Sequence, residues 1–76
     1  MHDDVRGKIA AEIRAEMARK RMTQRDLADK LGIAQPAVQL RLSGQRPFRA
    51  EELVVIAGAL GVEPGQFLPA PAASAA

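Results

Sequence analysis

Cysteine, tryptophan and tyrosine are all missing from this 76-residue chain. Without cysteine there are no disulfides, no thiol nucleophile and none of the commonest structural zinc ligands. Such a chain suits a reducing compartment. The only histidine is His2, at the extreme N-terminus, so no histidine-based acid–base pair or metal cluster is available. No glycine-rich phosphate loop is present, and the acidic residues are scattered. Neither catalysis nor a cofactor nor a metal is therefore expected. No apolar run approaches the roughly 18 residues of a membrane span. The opening "MHDDVRGK" places acids where a secretory signal carries basic residues. The expectation is a cytoplasmic protein with no membrane partner. A chain of this length makes one domain at most, with one small core and no large cavity. Helix packing or oligomerisation must supply its stability.

Charge is present, and it is unevenly placed. Residues 1–18 carry three basic and four acidic side chains, residues 19–49 eight basic and two acidic, and residues 50–76 three acidic and no basic ones. The positive charge is concentrated in the central third, as a phosphate-binding surface requires.

Hydrophobic spacing is helical throughout, and no strand pattern competes. Val5, Ile9, Ile13 and Met17 recur every four residues, with Ala10 widening the stripe, which predicts a helix from about Asp4 to Lys20 after a frayed Met1 and His2. Thr23 is a good N-cap for a second helix, with Leu27, Ala28 and Leu31 inside. Gly32 suits the left-handed position that ends it. Pro36 fits the first turn of a third helix, running to about Ser43 and closed by Gly44. Leu53, Ile56, Ala57 and Leu60 predict a fourth, about Ala50 to Leu60, closed by Gly61. A last turn, Pro64 to Leu68, should pin Phe67 or Leu68 onto the core. The fold class is thus all-α, five short helices around one core over residues 1–68. The tail "PAPAASAA", residues 69–76, should be disordered.

The second and third helices, joined by a glycine-containing turn, have the spacing of a helix-turn-helix. In that motif the first helix braces across the DNA backbone and the second lies in the major groove. Ala28 fits where the two helices approach closely, and Val38 packs inward from the second. "TQRDLADKLGIAQPAVQLRLSG", Thr23 to Gly44, resembles the helix-turn-helix of the phage repressor and Cro family of small DNA-binding domains. The likeness extends over "IRAEMARKRMTQ" before it and "ELVVIAGALGV" after it, roughly Ile9 to Leu68. The resemblance implies a compact five-helix, lambda-repressor-like domain that binds double-stranded DNA and regulates transcription. It implies that Gln35 reads a base edge, and that Gln24 contacts phosphate and braces Gln35. Two positions depart from the family's commonest pattern. Arg41 stands where a core apolar residue is common, with Leu42 taking the inward role, and Arg49 falls at the N-cap of helix 4, often serine or threonine.

Helical phase gives a separate list. At about 100° per residue, Val38 and Leu42 share the inner face of helix 3. Gln39, Ser43, Pro36 and Leu40 lie on the other side, with Gln35 at the leading end. Glutamine can pair with adenine through two hydrogen bonds, and Leu40 or the Pro36 ring can meet a thymine methyl. Gln35, Pro36, Gln39 and Leu40 are the expected base readers. Gln24, Arg25, Ser43, Arg46 and Arg49 are expected on phosphates, which fix register without reading sequence. Arg41, beside the inner face, should reach a helix 4 carboxylate such as Glu52 rather than a base.

Val55 and Gly58 fall on the outer side of helix 4, one turn apart. With the C-terminal turn they suggest a weak homodimer that forms mainly on paired half-sites. A repressor or Cro-like regulator is the leading expectation, and no effector domain is expected to control it. The alternatives are an antitoxin-like autoregulator, disfavoured by the short Ala/Pro tail, and a protein-interaction domain that keeps the fold without binding DNA.

Overall fold

A computed structural model describes residues 2–69. Four α-helices follow one another: α1 (His2–Lys20), α2 (Gln24–Leu31), α3 (Gln35–Leu42) and α4 (Ala50–Leu60). The expected fifth helix is a single 3₁₀ turn, Pro64–Phe67. Pro69 explains its shortness. A residue before proline is driven out of the α region, and Leu68 is extended at φ −88°, ψ 142°. There is no strand among the described residues, and no helix there is long and apolar enough to cross a membrane. Met1 and residues 70–76, including most of the tail expected to be disordered, lie outside the described residues.

α1 begins at His2, two residues earlier than the apolar stripe suggested. Nothing at positions 2–4 breaks a helix, so the backbone continues beyond the last packed turn. Burial shows where packing stops. Ala10, Ile13 and Met17 are buried, Ile9 is partly buried, and Val5 is exposed. Val5 was expected to share the inner stripe, but the first turns of α1 run past the elements that would cover it.

Three helices end in the same way, with the second residue past the helix donating its N–H to a carbonyl five residues back. Met22 N–H bonds to Met17 O, Ile33 N–H to Ala28 O and Val62 N–H to Ala57 O, at 2.9, 3.1 and 3.0 Å. Each needs a left-handed residue just before the donor. Gly32 (φ 68°) and Gly61 (φ 73°) supply it as expected; at the end of α1 the position is taken by Arg21, at φ 56°.

The core gathers Ile13 and Met17 from α1, Leu27 and Ala28 from α2, and Val38 and Leu42 from α3. Leu53, Ile56, Ala57 and Leu60 join from α4. Leu31, expected inside, is partly buried against this cluster. Phe67 closes the core at 1% exposure, whereas Leu68 is 50% exposed, so Phe67 and not Leu68 is the apolar residue that pins the final turn. Glu16 holds that turn to α1. It is the one buried charged residue among those described, and its Oε2 accepts from Gln66 Nε2 at 2.8 Å and from Arg19 Nη1 at 2.5 Å.

Candidate nucleic-acid interface

α2 and α3 pack directly against each other, and α1 and α4 support them from behind. The turn between them is built from local chemistry. Thr23 caps α2 reciprocally: its Oγ1 accepts the Asp26 N–H, and Asp26 Oδ2 accepts the Thr23 N–H, both at 3.0 Å. The Thr23 backbone donor holds the Asp26 carboxyl below its ordinary pKa, aided by the Thr23 hydroxyl and by the charges of Lys30 and Arg25. Gly32 then ends α2, and Ala34, which has no capping side chain, starts α3. Pro36, in the first turn of α3, lacks the N–H that would otherwise be left without an acceptor.

Val38 and Leu42 anchor α3 in the core. Gln35, Pro36, Gln39 and Ser43 are exposed, as the phase analysis expects. Leu40 is not fully outward. It is half-buried, and its carbonyl accepts the N–H groups of Gln45 and Arg46 and the Ser43 hydroxyl, at 3.0, 3.2 and 3.0 Å. The chain folds back after α3 onto the Leu40 carbonyl, which helical phase alone does not register. The same hydrogen bond occupies the single hydroxyl proton of Ser43, so donation to a phosphate would have to replace it.

Arg41 turns away from the open face. Its Nε donates to Glu52 Oε1 at 3.0 Å and its Nη1 to the Ala37 carbonyl at 3.0 Å. The side chains of Arg41 and Glu52 are only 13% and 12% exposed. Glu52 Oε1 also accepts the Arg49 backbone N–H at 2.9 Å. One carboxylate oxygen therefore joins α3 to the start of α4 and closes the loop between them. Arg49 is the N-cap residue of α4, and its guanidinium, which cannot accept a hydrogen bond, provides no side-chain cap.

Gln24, Arg25, Arg46 and Arg49 are exposed, and their side chains make no hydrogen bond or ion pair among the described residues. Arg46 and Arg49 sit in the loop leaving α3, and Gln24 and Arg25 at the start of α2. No hydrogen bond joins Gln24 to Gln35 among the described residues. Gln24 instead borders a shallow cleft with Met17, Met22, Leu42 and Arg14. Arg14 escaped the sequence reading because it lies in the acid-rich first quarter of the chain. Its Nη1 donates to the Leu42 carbonyl, at the C-terminal end of α3. Further along α1, Gly7 lies against the exit from α3. A Cβ built on Gly44 (φ 82°) would stand 3.6 Å from the Gly7 Cα. α1 thus touches both the last carbonyl of α3 and the turn beyond it.

The arrangement offers amide donors and acceptors on one helix face, with exposed cations at its margins. A model of the helix-turn-helix family matches residues 13–67, most of the chain and all of the site. Comparison with curated proteins finds no match, and neither does comparison with solved structures.

Proposed function

Because the chain belongs to the phage repressor and Cro type of helix-turn-helix family, we propose that it is a sequence-specific transcriptional regulator that lays α3 in the major groove of double-stranded DNA. One observation carries this reading. α3 is fixed from behind by Val38, Leu42 and the Arg41–Glu52 pair, leaving Gln35, Pro36 and Gln39 exposed together. Gln35 and Gln39 read base edges by paired hydrogen bonds, and Pro36 and the open part of Leu40 meet thymine methyls. Gln24, Arg25, Ser43, Arg46 and Arg49 hold phosphates. The activity is binding, not catalysis, and it requires no cofactor. The protein works as a repressor or Cro-like switch in the cytoplasm.

Salt dependence tests this directly. Affinity for duplex DNA should fall steeply as salt rises. Arg46→Ala should weaken binding to all sequences alike and flatten the slope. A chain that binds no duplex contradicts the proposal and favours an interaction domain that has kept the fold.

A second reading, that the regulator pairs on DNA, rests on α4. Its inner stripe is buried, but Val54 and Val55 are 60% and 44% exposed, and Gly58 beside them is exposed too. Two valines and a glycine one turn apart form an apolar helix face, and an exposed mid-helix glycine costs about 1 kcal/mol relative to alanine. A second copy packing closely there makes sense of both. Leu68, also exposed, borders a cleft with Lys8, Ala11 and Glu12 of α1. The pairing is weak in solution and completed on two half-sites about one DNA turn apart. An antitoxin-like autoregulator would use the same face for a different partner.

A further inference from the structure

We propose that Arg14 is an additional phosphate ligand, a cation on α1 that joins the DNA backbone to the end of α3. This rests on the DNA-binding reading above and extends the contact surface to a helix outside the helix-turn-helix. Arg14 is exposed, yet it is not a free surface arginine, because its Nη1 donates to the Leu42 carbonyl. That carbonyl belongs to the last turn of α3, where unsatisfied acceptors carry partial negative charge. The bond ties the guanidinium to the end of α3. Four of its five N–H donors remain, held in a rigid fork whose spacing matches phosphate oxygens.

Arg14 borders a cleft of about 220 Å³ that is also lined by Gln24, with Met17, Ala18 and Met22 as its apolar part. Gln24 begins α2, and the backbone N–H groups of Gln24 and Arg25 have no acceptor among the described residues. Arg14 and Gln24, the first residue of α2, therefore meet at one shallow cleft. No acidic side chain lines it. A phosphate seated there is bound through Arg14 to the helix that reads bases, so the backbone contact sets the depth of α3 in the groove.

The test uses the full chain and a duplex of random sequence, with log K measured against log salt. Arg14→Gln should lower the slope by about 0.9, the value for one lost phosphate contact, and Arg14→Lys should keep it. Lys8→Gln, an equal charge change on α1 at the Phe67–Leu68 cleft, should leave the slope unchanged. An unchanged slope in Arg14→Gln overturns the assignment, as does an equal fall in Lys8→Gln, which would indicate general electrostatics. If Arg14→Gln does not fold, the wild-type chain decides. Its Arg14 Nε–H resonance should shift and exchange more slowly with water when duplex is added, and an unmoved resonance at saturation overturns the proposal. Wild-type protein that binds no duplex overturns the DNA-binding reading itself, an outcome distinct from binding without Arg14.

Discussion

Two single residues, Arg21 and Asp26, show how local chemistry sets the scaffold. Arg21 occupies a left-handed position that glycine fills at the ends of α2 and α4. A side chain there crowds the following carbonyl, at about 1 kcal/mol. Arg21→Gly should therefore raise stability by roughly 0.5–1 kcal/mol, read as a thermal midpoint a few degrees higher; a lower midpoint would show that the arginine makes a compensating contact. Asp26 carries a pH prediction. Its carboxyl has a pKa below the ordinary value because the folded state supplies the Thr23 donors. A depressed folded-state pKa contributes stability above the unfolded pKa and loses it as pH falls through the folded one. Asp26→Ala should thus have a lower thermal midpoint than wild type at neutral pH, and the gap should close in strong acid. A gap independent of pH would mean that the cap does not depend on charge. Both features were half legible in the sequence. Thr23 announces a cap by its type, but a left-handed arginine announces nothing.

The helices themselves were largely readable. The stripes of α2 and α4 and the glycines after them gave the correct boundaries, because helical spacing and left-handed glycine are properties of the chain alone. What failed depended on neighbours. Val5 continues the α1 stripe in sequence, but the packed layer ends before it. Leu40 points outward by phase, yet it is half-buried and the turn made by Gln45 and Arg46 closes on its carbonyl. Glu16 looks like a surface residue of an amphipathic helix until Gln66 and Phe67 close on α1. Glu52 links α3 to α4. Glu52→Ala removes the acceptor for both Arg41 Nε and the Arg49 N–H and leaves a largely buried guanidinium unpaired. The loss should be about 2 kcal/mol in denaturant unfolding. If stability is unchanged, the pair does not hold the recognition helix. At the α4 face, Val55→Glu should abolish cooperative binding to paired half-sites and spare binding to one half-site. Equal loss at both would assign Val55 to folding rather than pairing.

For the molecule as a whole, shape and charge point the same way. The acid-poor central third of the sequence becomes the α2–α3 unit and its exit loop, and α1 and α4 hold it from behind through core contacts, Arg14 and Glu52. Spatial neighbours also redraw the charge map, since Arg14 joins the central basic residues only once α1 folds across the end of α3. Of the residues expected at the interface, Gln35, Pro36, Gln39, Gln24, Arg25, Arg46 and Arg49 are exposed, Leu40 is half-buried, and the Ser43 hydroxyl is taken by the Leu40 carbonyl; Arg14 is the addition proposed above. Groove reading by α3 is the central claim, and selection of bound sites from random duplex DNA measures it most directly. Wild-type protein should enrich one motif. Gln35→Ala and Gln39→Ala, with thermal stability nearly unchanged, should each lose preference at particular base pairs, by about 1–3 kcal/mol for a contact made through two hydrogen bonds. No enriched motif, or the same motif from both variants, would contradict the account.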